Sequence, residues 1–169
     1  MLRHIAVAAI AIAALSGAFA SAQPAAPAVA QADRTAILHT LNMPPDARGR
    51  VMNACDERVA PQYFNVNLGG SVGAAVLVLV TGGPNMVTCY GDVPGVFFLM
   101  KRDGGAFHQI FTGQGYFVIL PSTHLGVHDL SIGGPGMSFP LYTWNGHDFS
   151  ASSRQISDAT LATGQQYPN

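Results

Sequence analysis

Runs of apolar, β-branched and aromatic residues alternate with Gly-, Pro- and Asn-rich breaks from residue 63 to residue 151. Short runs of this kind between turn-forming breaks are typical of antiparallel strands. The predicted strands cover residues 63–68, 74–80, 96–101, 106–111, 116–120, 129–132, 141–144 and 148–151. The pattern therefore predicts a mainly β protein, a small antiparallel sandwich or meander of about seven or eight strands with a short helical N-terminal segment.

Two features of this pattern indicate how the strands are placed and joined. The run Ala-Ala-Val-Leu-Val-Leu-Val at 74–80 does not alternate with polar residues, which predicts a central strand covered on both faces. Asp103-Gly104 and Asn145-Gly146 predict hairpins, because type I′ turns need a positive φ at both central positions.

The region before the strands predicts helical segments. Asp33 is predicted to cap a short helix that ends before Pro44. The apolar positions of that helix are Ile37, Leu38 and Leu41. Asp46 is predicted to cap a second segment of one or two helical turns, although Gly49 lowers the helix propensity there. The residues that this second segment would carry toward the core are Val51, Met52 and Cys55.

The first 22 residues have the pattern of a signal peptide. A weakly positive start precedes an unbroken apolar run at 5–15, well short of the ~20 residues that span a bilayer. Small residues at 18–22 offer two cleavage sites, of which the one after Ala22 is preferred. Residues 23–32 are predicted to be an Ala/Pro-rich flexible lead-in, 33–152 a single β domain and 153–169 a C-terminal tail. The mature chain is expected to be periplasmic or secreted and to contain no membrane span.

Charge excludes one class of partner. The 169 residues include 8 Lys and Arg against 9 Asp and Glu, a formal net charge of −1. This balance provides no basic face, so the chain is not expected to bind nucleic acid. The acidic residues are scattered and Glu57 is the only glutamate, so no carboxylate pair suited to glycoside cleavage is evident.

Cys55 and Cys89 are the only two cysteines of the chain. In an exported protein an even number of cysteines favours a disulfide. A redox role is the alternative, but the Cys-x-x-Cys spacing typical of it is absent. Closing a loop of 89 − 55 = 34 residues stabilises a fold by about 3–4 kcal/mol on the loop-entropy model. The bond would join the helical lead-in to the β domain.

A strand followed by Gly-Gly-Pro-x-Met occurs twice, at 79–86 and at 130–137. Each copy leads to another strand and to an Asp/Asn-Gly-x-x-Phe turn. The copies are 51 residues apart at the first motif and 42 at the turn, so the first copy holds nine extra residues. Two strand–loop–hairpin units fit a small sandwich or meander. The alternative is coincidence in a Gly-rich chain.

The two Gly-Gly-Pro loops occupy corresponding positions in these units, so we predict that they lie at one end of the domain. Loops on a rigid β scaffold often carry recognition, and a flexible loop with Met and aromatic side chains suits insertion into the cleft of a partner. The alternative is that these side chains fold back on the sheet. The candidate binding residues are Gly82, Gly83, Pro84, Met86, Tyr90, Gly133, Gly134, Pro135, Met137 and Phe139.

Four segments carry a resemblance to known proteins, namely residues 53–55, 68–73, 89–91 and 126–146. In order and spacing they resemble uncharacterised exported bacterial proteins with degenerate FG-GAP or VCBS-type repeats. The resemblance implies a β architecture and an envelope or extracellular role, and it names no reaction. The better-kept repeats have an Asp-rich calcium loop, whereas residues 67–71 here are Asn-Leu-Gly-Gly-Ser and supply no carboxylate.

Histidines offer a second route to function. His124, His128 and His147, with Asp129, are candidate zinc ligands near one end of the sheet. Zinc accepts imidazole and carboxylate ligands, and an open fourth position permits hydrolysis. The alternative is loop and surface histidines, because His-x-x-x-His is diagnostic of a metal site on a helix, whereas Pro121, Gly126 and the following strand favour a loop here.

Residues 69–73 match the Gly-x-Ser-x-Gly pattern of a nucleophile elbow around Ser71. That motif requires a helix directly after the turn, and here a strand is predicted. A hairpin turn is therefore the preferred interpretation.

Three functions remain. The first is a non-catalytic binding or inhibitor-like protein of the bacterial cell envelope, which needs no cofactor and binds an envelope or extracellular protein through the Gly/Pro-rich loops. The alternative is a metal-binding protein or metal-dependent hydrolase that uses the clustered histidines. The third is an accessory wall or matrix component with no defined ligand.

Overall fold

The computed structural model of the chain describes residues 28–136 and 138–168. The predicted leader and residues 23–27 lie outside the described residues. The helices are α1 (Gln31–Thr40), α2 (Met86–Tyr90) and α3 (Asp158–Leu161). The strands are β1 (Val51–Met52), β2 (Arg58–Val59), β3 (Gln62–Asn67), β4 (Ala74–Thr81), β5 (Gly95–Asp103), β6 (Ala106–Gln114), β7 (Tyr116–His124), β8 (Val127–Gly133), β9 (Ser138–Trp144), β10 (Phe149–Ser157) and β11 (Gln165–Tyr167). None of the helices within these residues is both long and apolar enough to cross a membrane.

Two antiparallel meanders form the body of the protein. Strands β3 to β6 pair in chain order as a four-stranded sheet, and β7 to β10 pair in the same way in a second sheet. Strand β11 joins the second sheet along the free edge of β7. The eight predicted strands correspond to β3 through β10, and the prediction of a small, mainly β sandwich is confirmed.

The two sheets pack face to face through aromatic side chains. The ring centroids of Phe97 in β5 and Phe117 in β7 are 4.9 Å apart. Those of Phe111 in β6 and Tyr142 in β9 are 4.6 Å apart. Both pairs meet edge to face, an arrangement that contributes about 0.5–1.5 kcal/mol beyond the buried area. These contacts help to fix the alignment of the sheets.

Strand β4 is buried on both faces, as its sequence predicts. Leu77 lies in the core between the sheets, whereas Val78 packs with Ile37 of α1 on the outer face. Val80, also on the outer face, packs with Val51 of β1. Helix α1 and the β1–β2 hairpin therefore cover the outer face of the first sheet.

The prediction of a second helical segment after Asp46 is wrong. Its residues form β1, in which Val51 pairs with Val59 of β2, and both valines are buried. The Asp46 carboxylate accepts hydrogen bonds from the backbone N–H groups of Arg48 and Arg50, at 2.8 and 2.9 Å, so it caps a turn instead. The extended form prevails because it presents both valines to the outer face of β4.

The segment predicted as a C-terminal tail, residues 153–169, is part of the fold as far as it is described. Strand β10 continues to Ser157, α3 follows, and β11 pairs with residues 117–119 of β7. Tyr167 is 8 % exposed, and its ring centroid lies 5.3 Å from that of Phe64 in β3. The backbone pairing with β7 and this buried aromatic side chain hold the segment on the edge of the second sheet.

Both predicted hairpins form, with turns that differ from the prediction. The central residues between β5 and β6 are Gly104 and Gly105, with φ of 55° and 91°, rather than Asp103 and Gly104. Between β9 and β10 the Asn145 side chain accepts hydrogen bonds from the backbone N–H groups of residues 147 and 148, which makes a wider turn.

The two-sheet core predicts different effects for one substitution at two leucines. Leu77 is 1 % exposed, and Leu125, at the tip of the β7–β8 hairpin, is 72 % exposed. We expect Leu77→Ala to lower the free energy of unfolding by about 2–5 kcal/mol, because the lost side chain leaves a cavity. Leu125→Ala is expected to change it by less than about 0.5 kcal/mol. Urea denaturation measures both, and equal losses would contradict the described core.

Candidate functional site

The two Gly-Gly-Pro loops lie beside one another at one end of the sandwich. The β4–β5 loop spans residues 82–94 and the β8–β9 loop spans residues 134–137. A Cβ placed on Gly134 would lie 3.6 Å from Val93 Cγ1 of the other loop. The first loop is nine residues longer than the second, which accounts for the nine extra residues of the first repeat copy. This is the arrangement that the repeat predicts.

An open groove of about 450 Å³ runs between the two loops. The predicted binding residues that line it are Tyr90, Gly133, Gly134, Pro135 and Phe139. Tyr90 and Phe139 are only 6 % and 4 % exposed, so they form the floor of the groove. Asp92 is its one charged lining residue. The lining also contains Ser138 and Gln114, and no histidine or cysteine is among the described lining residues.

Gly82, Gly83 and Pro84 are predicted binding residues that do not line the groove. Gly82 is buried, Gly83 lies against Glu57 of the β1–β2 turn, Pro84 is exposed, Met86 begins α2, and Met137 lies outside the described residues. Sequence reasoning missed Val87, which is 64 % exposed. Its place directly after Met86 in a Gly/Pro-rich loop was the available signal.

The first loop is anchored to the β1–β2 hairpin. Cys89 of α2 forms a disulfide with Cys55 of the β1–β2 turn, with the Cα atoms 5.6 Å apart. The backbone N–H of Ala54 donates to the Tyr90 hydroxyl at 3.3 Å, and the Gln114 side chain donates to the Tyr90 carbonyl at 3.1 Å. The loop therefore contains a short helix and is held at several points, whereas its composition predicts a flexible loop.

The candidate metal ligands lie at the other end of the sheet. His124 Nδ1 is 2.8 Å from Asp129 Oδ1, and Ser122 Oγ donates to Asp129 Oδ2 at 2.6 Å. Asp129 is 1 % exposed, whereas the His124 side chain is 49 % exposed. The buried carboxylate accepts both hydrogen bonds and orients the imidazole. Ser122 bonds to the carboxylate rather than to the imidazole, so the three residues do not form a nucleophile–base–acid relay.

The three predicted zinc ligands do not converge. His128 Nδ1 donates to the backbone carbonyl of Leu120 at 2.8 Å, and the His147 side chain is 96 % exposed. In the described part of the chain, no three His, Cys, Asp or Glu side chains are placed to hold a metal ion. His124 and His128 lie on the two strands of one hairpin, but their Nδ1 atoms bond to different acceptors, and His147 lies in the turn between β9 and β10.

The Gly-x-Ser-x-Gly segment forms the turn between β3 and β4. A strand follows Ser71, and no helix begins there. A Cβ on Gly70 would lie 2.8 Å from the carbonyl carbon and oxygen of Gly126, so this glycine lets the turn pack against the β7–β8 hairpin. The interpretation as a turn fits this geometry.

Comparison with known proteins returned no match: no family model, no curated protein and no solved structure matches the chain.

Removal of the disulfide in a double variant is expected to lower the stability of the fold. We expect Cys55→Ser with Cys89→Ser to lower the free energy of unfolding by about 3–4 kcal/mol, because the unfolded chain regains the freedom of a 34-residue loop. The far-UV circular dichroism of the folded state should remain that of a β protein, since neither cysteine belongs to the core between the sheets. Urea denaturation and intact-mass analysis after alkylation check this. A free thiol in the unreduced wild type would contradict it.

Removal of the buried Asp129 carboxylate is also expected to lower the stability of the fold. Asp129→Ala removes the acceptor of both Ser122 and His124. We expect a loss of about 2–3 kcal/mol in the free energy of unfolding, because hydrogen bonds to a charged group contribute about 1.5–3 kcal/mol. Asp92→Ala, at an exposed aspartate, is the matched control and should change stability little. Equal effects of the two variants in urea denaturation would exclude a stabilising role for the Asp129 hydrogen bonds.

Proposed function

We propose that this chain is a non-catalytic binding protein of the bacterial cell envelope, inhibitor-like in its use of preformed loops. It binds a protein partner in the groove between the two Gly-Gly-Pro loops. The observation that supports this most directly is that both loops line one groove of about 450 Å³. We infer a periplasmic or secreted location from the leader-like N-terminus and from the disulfide, which is typical of oxidising compartments.

Anchoring of the first loop favours binding. The Cys55–Cys89 bond and the hydrogen bonds of Tyr90 hold the loop before a partner arrives. A surface organised in this way loses less conformational entropy on association than a flexible loop does.

The resemblance to FG-GAP or VCBS-type repeats belongs to the same proposal. We infer that residues 79–107 and 130–149 are two copies of one unit. Each contains a strand, a Gly-Gly-Pro loop, a second strand and a hairpin, in that order. A duplicated unit places equivalent loops at the same end, which is where the groove lies.

Capture from an envelope extract of the producing bacterium tests the proposal. The backbone at Gly134 accepts a side chain, because a Cβ there meets only Val93 at ordinary contact distance. We expect immobilised wild type to retain a partner and Gly134→Trp, which fills the groove, to lose it. Ser150→Trp, on an exposed position of β10 far from the groove, is the matched control and should retain it.

Circular dichroism establishes that each tryptophan variant is folded. Asp92→Lys is a second groove variant that adds no bulk, with Asp103→Lys at the opposite end as its control. Retention of the same partner by both groove variants, or capture of no protein by the wild type, would overturn the proposal.

A further inference from the structure

A second cavity lies on the outer side of the first sheet, away from the groove. One wall is a single face of α1, formed by Gln31, Arg34, Thr35 and Leu38, which follow the spacing of one helix face. The opposite walls come from the turn at 45–49 and from residues 60–63. The volume is about 390 Å³, within the range of about 300–1,000 Å³ typical of small-molecule sites.

The charge of this cavity is positive. Arg34 and Arg48 line it, and none of its lining residues is acidic. Asp46 belongs to the same turn at 45–49 without lining the cavity, and its carboxylate is paired with Arg50, at 2.9 Å from Nε and 2.8 Å from Nη2. The backbone N–H of Arg50, with help from the guanidinium and from the N–H of Arg48, lowers the Asp46 pKa to about 2. In the part of the chain that the structure describes, the Arg48 side chain enters no ion pair.

Arg34 is held in place before any ligand binds. Its Nε donates to the Val29 carbonyl at 2.9 Å, and its guanidinium carbon lies 5.1 Å from the centroid of the Tyr63 ring. These contacts orient the planar group and leave its two terminal nitrogens as donors. Burial raises the Tyr63 pKa above its usual value, against the opposing charge of Arg34, so the phenol stays protonated at neutral pH.

An apolar depression of about 330 Å³ adjoins this cavity. Thr35, Leu38 and Pro45 line both spaces, so the two are contiguous. The far side of the depression is formed by Met43 and Pro44. The joined cavities therefore present two guanidinium groups at one end and a mainly apolar surface at the other.

We propose that these joined cavities bind a small amphipathic anion, with a carboxylate or phosphate head between Arg34 and Arg48 and an apolar body along Leu38 and Met43. Guanidinium groups donate paired hydrogen bonds to the oxygens of such a head, and these charge-assisted bonds are the strong ones. The apolar body gains by leaving water. The site shares no lining residue with the groove, so the two proposals stand independently.

Calorimetric titration of the mature chain with four probes tests this inference. Octanoate carries head and tail, acetate only the head, 1-octanol only the tail, and octyl phosphate the alternative head. We expect octanoate or octyl phosphate to bind saturably and more tightly than acetate and octanol, and the tighter of the two identifies the head. Octanol binding as tightly as both anions would overturn the proposal, and so would the absence of saturable binding by either anion.

Substitution of Arg48 tests whether its guanidinium group binds the carboxylate or phosphate head of the ligand. Arg48→Gln changes an exposed side chain whose backbone N–H makes the turn contact, so the fold should be retained. We expect it to weaken binding of the preferred anion at least about tenfold, because the charge-assisted hydrogen bonds of that guanidinium are lost, and to leave octanol binding unaffected. Arg154→Gln, on exposed β10, is the charge-matched control and should bind as wild type does. Equal weakening by both variants, or none by Arg48→Gln, would contradict a head site at Arg48.

Discussion

The structure depends on burial of β4 on both of its faces. Leu77 and Leu79 face the second sheet, while Val78 and Val80 face outward and would be exposed on a simple two-sheet sandwich. Full burial of one such side chain stabilises a fold by about 1.5–3 kcal/mol, and an uncovered apolar strand favours aggregation. The N-terminal part of the chain supplies the cover, with α1 over one half of the strand and the β1–β2 hairpin over the other.

That cover also determines where both candidate binding sites lie. The turn of the β1–β2 hairpin carries Cys55, and its position over the end of β4 brings it to Cys89 on the loop that follows β4. The disulfide thus holds one wall of the groove. The other side of the cover, where α1 meets the chain that leads into β1, encloses the cavity of Arg34 and Arg48. Both sites therefore border elements whose primary role is to keep β4 from water.

The sequence predicts the features that depend on neighbouring residues along the chain. Strands β3 to β9 could be placed because each contains a short apolar run near turn-forming residues, and β10 because it follows the Asn145-Gly146 turn signal. The disulfide could be placed because only two cysteines are present. Strand β1 could not, since the conformation of Val51 is decided by contact with β4, more than twenty residues away. Strand β11 depends in the same way on Tyr167 reaching Phe64. The cavity of Arg34 and Arg48 joins three separate segments that share no motif, so nothing local indicated it.

The β4–β5 and β8–β9 loops differ by nine residues, and this difference gives the candidate groove two unequal walls. In a meander, successive connections alternate between the two ends, so the loops after β4 and after β8 lie at the same end and the hairpins at the other. Two equal loops of four residues would leave that end symmetric and shallow. The nine extra residues of the first loop add α2, and with it Cys89, Tyr90 and Asp92 on one side only. Val93 and Gly134 then meet across the gap, and the long loop becomes one wall of a groove whose other wall is the short loop. Because the longer wall is bonded to the β1–β2 hairpin, which lies outside both sheets, the cover of β4 sets its position.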